Sequence, residues 1–233
     1  AVGPEGPEFE LVGVEEFPTA QDHPELLRRI EVRMTVPVYL TSASWQYDEN
    51  APLDRLNRDA SGALLQNGTM QQEVLILVPR SVEGGGAHGL LQNGHGLFGT
   101  RREGRNGYLA RAANGYGYIA FATNYFGFDE NSVSLASATL LGRHEGLKSF
   151  PERQIQGMVN QLLAMRMMMG RVAQTGIVDE QGTVLLDPSW IDADLRAYRG
   201  DSQGGIMGAT DMAVSTDVTR GLLGEPGMPY TVL

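Results

Sequence analysis

The fold of this chain is predicted first from the stretch Tyr198-Arg199-Gly200-Asp201-Ser202-Gln203-Gly204-Gly205. It holds the pattern Gly-x-Ser-x-Gly between a short strand-like run at 195–199 and an apolar run of small residues at 206–214. A serine on such a tight strand-to-helix turn is pushed above the edge of a sheet, where its hydroxyl is exposed for attack. Glycine suits the flanking positions because it tolerates strained dihedral angles and close backbone approach. The stretch predicts a nucleophilic Ser202, with a glycine-rich structural turn as the alternative.

A second stretch, Gly94-His95-Gly96-Leu97-Phe98-Gly99, lies about a hundred residues before Ser202 and follows a strand-like run at 89–93. With both stretches in view, the sequence resembles the lipase and esterase branch of the α/β-hydrolase superfamily over about residues 70–224. The resemblance implies carboxylic ester hydrolysis through an acyl-enzyme on Ser202, with no metal or organic cofactor. It also implies that the backbone N–H groups of Leu97 and Gln203 form an oxyanion hole. By the same resemblance, Gly96, Gly200 and Gly204 are expected to support that geometry, and His95 is expected to orient the loop as a hydrogen-bonding residue, with a role as general base as the less favoured alternative.

The remaining pattern predicts an α/β fold with a mainly parallel sheet and helices on both faces. The runs 72–79 and 117–123 are nearly continuously apolar, as in strands buried on both faces, and 31–40 alternates as a strand does. Ser149 and Glu152 form a capping-box pattern at the start of a long helix. That helix is expected to bury one apolar face, made of Ile155, Met158, Val159, Leu162, Met165, Met169 and Val172.

The domain organisation predicted from this pattern is simple. Residues 1–27 are rich in Pro, Glu and Gly and are interpreted as an irregular lead-in, and 28–233 as a single domain. Within it, 124–148 is a long connection that we interpret as a candidate lid or binding loop. Phe98, Tyr125 and Phe126 follow strand-like runs and are candidates for the lining of an acyl pocket, with ordinary core packing as the alternative.

The sequence departs from the family after Ser202. The family's catalytic triad runs in the order serine, acid, histidine, but no histidine follows Ser202, and Asp211 and Asp217 lie too early to be the usual acid. We therefore expect the C-terminal part of the fold to be missing or supplied as a separate chain. One alternative is an inactive hydrolase-like module that binds a partner. Another is a chymotrypsin-like protease with the order His95, Asp129, Ser202, which Gln203 and the long helix disfavour.

Composition sets wider limits. The formal net charge of −10 argues against nucleic acid as a partner. The resemblance implies that the substrate is an ester of a small molecule or a lipid. The absence of cysteine removes disulfides, thiolate metal sites and a cysteine nucleophile. Cysteine-free chains are common among secreted bacterial enzymes, so a secreted or periplasmic protein is favoured, although the compartment is not fixed. The chain begins with Ala1 rather than methionine and is expected to be a processed or partial product.

Two further groups of residues have simple interpretations. Asn57-Arg58-Asp59-Ala60-Ser61-Gly62 faintly resembles the start of a calcium loop, but the twelfth position would be Gly68 instead of a glutamate, so a turn is favoured. His23, His88 and His144 lie in polar or glycine-rich surroundings and are expected to be solvated or locally hydrogen-bonded.

Overall fold

A computed structural model of the protein describes residues 2–42, 48, 50 and 53–227. The strands are β1 Phe9–Glu16, β2 Leu26–Pro37, β3 Thr69–Pro79, β4 His88–Gly94, β5 Tyr118–Thr123, β6 Ile177–Val178, β7 Val184–Leu186, β8 Ile191–Asp201 and β9 Gly221–Gly224. The helices are α1 Gly107–Tyr116, α2 Val133–Leu140, α3 Gly146–Met167, α4 Ala173–Thr175 and α5 Gln203–Val214, and a π-helical turn at Met168–Val172 joins α3 to α4. Among the described residues, no helix is long and apolar enough to cross a lipid bilayer.

One seven-stranded sheet organises the chain, in the order β1-β2-β3-β5-β4-β8-β9. The four strands β5, β4, β8 and β9 run parallel, and the N-terminal strands join them through antiparallel pairs. Gly94 at the end of β4 pairs with Gly200 near the end of β8. The carboxyl ends of the parallel strands therefore meet at one edge, and the loop after β4 leaves the sheet beside the turn after β8.

Helices cover both faces of this sheet, as predicted. On one face, Leu75 and Leu77 of β3 pack against Leu109 of α1. On the other, Ile76 belongs to the large core cluster that includes Met165 of α3. The helix α5 lies on the same face as α3, because Tyr198 of β8 contacts the first turns of α5 and belongs to the same core cluster as Met165 of α3. The α/β prediction is confirmed, and the chymotrypsin-like alternative is wrong because this architecture is not a pair of β-barrels.

The prediction of an irregular lead-in over 1–27 is wrong, because β1 forms within it and pairs antiparallel with β2. Phe9 and Leu11 pack against the core, while the glutamates between and after them face a row of arginines on β2. The ion pairs are Glu10 with Arg33 at 2.9 Å, Glu15 with Arg29 at 3.0 Å and Glu16 with Arg28 at 3.4 Å. Composition suggested an irregular lead-in because the arginines that pair with these glutamates lie elsewhere in the sequence.

The start of α3 also differs from its prediction. The helix begins at Gly146, so Ser149 lies inside it and the capping box is wrong. The Glu152 carboxylate instead contacts two neighbouring residues outside the helix. It pairs with Arg55 Nη2 at 2.8 Å and accepts the N–H of Leu56 at 2.5 Å. The predicted lid segment 124–148 begins with buried residues and then forms α2, and its role as a lid stays a prediction.

The buried face of α3 is polar, so the apolar face predicted for it is partly wrong. Met165 and Val172 are buried, but Ile155 is 43% exposed. The buried row instead carries amides: Asn160 Nδ2 donates to Gln72 Oε1 at 3.0 Å, and Gln161 Nε2 donates to the Thr123 carbonyl at 3.1 Å. Because β3 and β5 present these polar groups, the helix rotates to satisfy their hydrogen bonds.

Candidate active site

Ser202 stands on the turn between β8 and α5, where its side chain is exposed. Its backbone angles are φ 53° and ψ −120°, a region that an L-residue seldom occupies. The turn is anchored by the Ser202 N–H, which donates to the Gly224 carbonyl at 2.9 Å. A backbone conformation this strained persists only where the surrounding packing imposes it.

Three glycines make this turn possible because backbone occupies the space of any side chain. A Cβ on Gly200 would lie 2.4 Å from the Gly204 carbonyl oxygen. A Cβ on Gly204 would lie 2.4 Å from the Gly94 carbonyl oxygen, and one on Gly205 would lie 2.6 Å from the Gly224 oxygen. The first turn of α5 therefore rests directly on the ends of β4 and β9, which fixes the position of Ser202 relative to the loop after β4.

His95 opens that loop and is 1% exposed. Its Nδ1–H donates to the Gly96 carbonyl at 2.8 Å, and its Nε2 accepts the Tyr125 N–H at 2.8 Å. Because Nε2 accepts an N–H, it carries no proton and the imidazole is neutral, and burial lowers its pKa. Both ring nitrogens are engaged, which leaves His95 unable to accept a proton from Ser202 and suits it to orienting the loop.

The two predicted oxyanion donors have free N–H groups. Leu97 is 56% exposed, and Gln203 is the first residue of α5, where a helix leaves its N–H groups without intrahelical partners. Within the described ranges, neither backbone N–H donates to an acceptor. Sequence reasoning missed Glu103, whose Oε2 accepts the Gly96 N–H at 2.9 Å and holds the loop from outside.

Tyr125 and Phe126 do not line an open pocket, since both are at most 1% exposed. Phe98 is half-buried beside the site, and its ring lies 6.2 Å from that of Phe128. The Phe128 carbonyl accepts the Phe98 N–H at 3.1 Å and lies 3.4 Å from Gln203 Nε2. This carbonyl therefore links the loop after β4 to the start of α5.

A buried polar cluster that the sequence did not reveal lies beneath the turn. The Tyr198 hydroxyl donates to the Gly204 carbonyl at 2.6 Å and lies 2.5 Å from the Tyr125 hydroxyl. The Tyr125 hydroxyl in turn lies 3.0 Å from Asp211 Oδ2. Burial raises the pKa of Asp211 to about 7 and raises that of Tyr125. The one signal in the sequence was a single acid within the apolar run 206–214.

The other histidines lie away from the turn or on the surface. His88 begins β4 opposite Ile191, which places it at the far edge of the sheet, where its Nε2 meets Ser81 Oγ at 2.8 Å. His23 accepts the N–H groups of Glu25 and Leu26 at 3.2 Å. His144 is exposed between α2 and α3. In the part of the chain that the structure describes, no imidazole is hydrogen-bonded to the Ser202 hydroxyl.

The acids considered from sequence are likewise engaged elsewhere. Asp129 is fully buried and accepts the Ser132 hydroxyl at 2.8 Å and the Asn124 amide at 3.3 Å. Asp217 pairs with Arg166. The faint calcium motif forms a turn in which Asp59 Oδ1 accepts the N–H groups of Ser61 and Ala63 at 2.8 and 3.0 Å. Among the described residues, no three or more acidic or histidine side chains are grouped to hold a metal.

Comparison with known proteins supports the fold. A crystal structure of a candidate acetyl xylan esterase from Bacteroides fragilis is similar over 93% of this chain and 47% of its own, with a TM-score of 0.51 and 11% identity. Acetyl xylan esterases from Thermoanaerobacterium sp. and Paenibacillus sp. R4 give TM-scores of 0.45 and 0.47 at 14% and 12% identity, over 93% of this chain and 52% and 53% of theirs. The chain thus spans about half the length of these structures. No family model and no curated protein matches the sequence. The strand order, together with the similarity to the Bacteroides fragilis structure, gives the chain the α/β-hydrolase fold.

Proposed function

We propose that this protein hydrolyses carboxylic esters with Ser202 as the nucleophile. The observation that carries the proposal is the backbone of Ser202, held at positive φ on an exposed strand-to-helix turn by packed glycines. Conformations of this kind cost of order 1–3 kcal/mol and cluster at active sites. A serine with no chemical role would gain nothing from that cost, whereas a nucleophile needs its hydroxyl presented at the sheet edge.

The proposed reaction has two steps. Ser202 Oγ attacks the ester carbonyl carbon, the hydroxyl proton passes to a base, and the alcohol leaves with a proton to give an acyl-enzyme. Water then hydrolyses that ester and restores the serine. The N–H groups of Leu97 and Gln203 are proposed to hold the oxyanion in both steps, since losing one such donor typically costs about 3 kcal/mol.

The base is proposed to come from a segment other than the described residues, supplied in the same protein or as a separate chain. Both nitrogens of His95 are occupied, and His88 lies at the far edge of the sheet. The substrate is proposed to be an ester of a small molecule or a lipid, with no cofactor. The Bacteroides fragilis protein is described as an acetyl xylan esterase, and at 11% identity this supports the reaction class without the particular ester.

Ester turnover by the full-length natural protein tests this function. With a p-nitrophenyl acyl ester, the wild-type protein is expected to release a burst of nitrophenol as the acyl-enzyme forms, and the Ser202→Ala variant is expected to release none. A Gly115→Ala variant is the control, because this exposed helical position has open space around it. Turnover that survives Ser202→Ala would overturn the assignment of the nucleophile.

A second candidate function is a hydrolase-like binding module without turnover. The observation in its favour is that, over the described ranges, nothing is hydrogen-bonded to the Ser202 hydroxyl to accept its proton. A serine hydrolase without its base can lose about six orders of magnitude in rate. Absence of both burst and turnover in the full-length protein, with the fold intact by circular dichroism, would favour this module over the enzyme.

A further inference from the structure

The polar cluster beneath the turn contains three hydrogen-bonded contacts, and each contact needs one hydrogen. Two phenols, Tyr125 and Tyr198, supply two hydrogens, but the chain from Asp211 through both phenols to the Gly204 carbonyl contains three short contacts. If Tyr198 donates to Gly204 and Tyr125 donates to an ionised Asp211, the 2.5 Å contact between the phenols has no hydrogen. A proton on the Asp211 carboxyl completes the series, since Asp211 can then donate to Tyr125, Tyr125 to Tyr198, and Tyr198 to Gly204.

The surroundings of Asp211 agree with a neutral carboxyl group. Asp211 is 5% exposed, and its Oδ1 has no hydrogen-bond partner. The polar groups that line the small cavity beside it are neutral, namely Gln92 of β4, Gln161 of α3, Tyr198 of β8 and Ser215 after α5. The guanidinium of Arg199, the next residue along β8 after Tyr198, is paired with Asp201 and stacked on Tyr108 of α1, so it does not neutralise Asp211. Burying an unpaired carboxylate here would be costly.

Tyr125 connects this series to the other half of the site. Its backbone N–H donates to His95 Nε2, and its ring meets the His95 ring edge-to-face with centroids 5.3 Å apart. Its hydroxyl reaches Tyr198 and, through it, the carbonyl of Gly204 in the first turn of α5. Tyr125 is thus bonded directly to the loop that bears Leu97 and, through Tyr198, to the turn that bears Ser202.

We propose that Asp211, Tyr125 and Tyr198 form a hydrogen-bonded relay of positioning residues that holds the loop at 95–99 and the turn at Ser202 in register, with Asp211 protonated. The relay touches no substrate. The expected effect of the relay on catalytic rate rests on the proposed function, whereas the coupling of the two segments does not depend on it. Misplacing reacting groups by about 1 Å can cost about 100-fold in rate.

The test combines hydrogen exchange with kinetics on the full-length natural protein. Tyr125→Phe removes the central hydroxyl, and Asp211→Asn keeps a donor toward Tyr125. Tyr118→Phe, at the start of β5, is the matched control, because Tyr125 follows the opposite end of that strand. We expect Tyr125→Phe to speed amide exchange in peptides covering both 95–99 and 203–208, and to lower kcat by about 10- to 100-fold with KM little changed. Asp211→Asn and Tyr118→Phe are expected to preserve both properties.

The outcomes separate the relay from the proposed function. Unchanged exchange in either segment of Tyr125→Phe would overturn the coupling, whatever the activity. Should that variant not fold, Tyr198→Phe breaks the same relay one bond nearer to Gly204 and is judged by the same exchange. Faster exchange in both segments with wild-type kcat would overturn the positioning role. An inactive wild-type protein whose exchange responds as expected would uphold the coupling and contradict ester hydrolysis alone.

Discussion

Asp211 should make the stability of this protein fall as pH rises, the reverse of the usual behaviour of a paired carboxylate. Burial raises its pKa from 3.8 to about 7. The native state therefore keeps a proton that the unfolded chain releases, and this binding stabilises the fold. The stabilisation is complete below the unfolded pKa of 3.8 and is lost as pH rises through about 7.

The magnitude follows from the shift. Each pKa unit corresponds to about 1.4 kcal/mol, so a shift of roughly three units gives about 4 kcal/mol in full. About 3 kcal/mol of this falls between about pH 5 and about pH 8. Other carboxylates titrate over part of this range, so the wild-type curve alone does not isolate Asp211.

The assay is urea unfolding followed by circular dichroism at several pH values, for the wild-type protein and Asp211→Asn. The asparagine does not titrate, so the difference in unfolding free energy between the two proteins reports on Asp211. We expect wild type minus variant to fall by about 3 kcal/mol from about pH 5 to about pH 8. A difference that stays constant within about 0.5 kcal/mol would refute a protonated native Asp211.

Three further predictions concern the turn itself. The Ser202→Gly variant is expected to have a free energy of unfolding about 1 kcal/mol higher than Ser202→Ala, because glycine adopts the positive φ without strain. Denaturant midpoints measure this difference, and a Ser202→Gly variant of equal or lower stability would contradict backbone strain at Ser202. Gly204→Ala is expected to lower the free energy of unfolding by about 1–3 kcal/mol and to abolish turnover, because its Cβ would meet the Gly94 carbonyl. Gly115→Ala, in open space, should leave the free energy of unfolding unchanged or raise it by about 0.5–1 kcal/mol. The 233-residue chain alone is expected to react weakly or not at all with a fluorophosphonate. Robust labelling would contradict the proposal that the base lies outside the described residues and direct attention to His88, His95 and His144.

Local signals in the sequence predicted the part of the site that is itself local. The order of strand, glycine-flanked serine and helix around Ser202 is present in the structure, and so is the loop of His95 and Gly96 after β4. The turn itself is local, since Gly200 is required by the Gly204 carbonyl four residues later, whereas Gly204 and Gly205 are required by backbone on other strands, at Gly94 and Gly224.

Long-range partners explain what the sequence did not predict. Apolar spacing placed Ile155 in the core, but α3 instead buries Asn160 and Gln161, whose amides are satisfied by β3 and β5. Likewise, Tyr125 and Asp211 are 86 residues apart and meet only when α5 packs over β8. The apolar spacing of a helix shows where its hydrophobic residues fall, but it does not show whether a distant strand offers a hydrogen-bond partner to a polar residue.

The assignment of Ser202 is tested most directly by its reaction with a fluorophosphonate in the full-length natural protein, mapped by mass spectrometry of peptides. The account predicts one phosphonyl adduct on the peptide containing Ser202, lost in Ser202→Ala and retained in Gly115→Ala. An unlabelled full-length protein with an intact fold, or an adduct on another residue, would contradict the proposal that this strained turn presents an activated nucleophile.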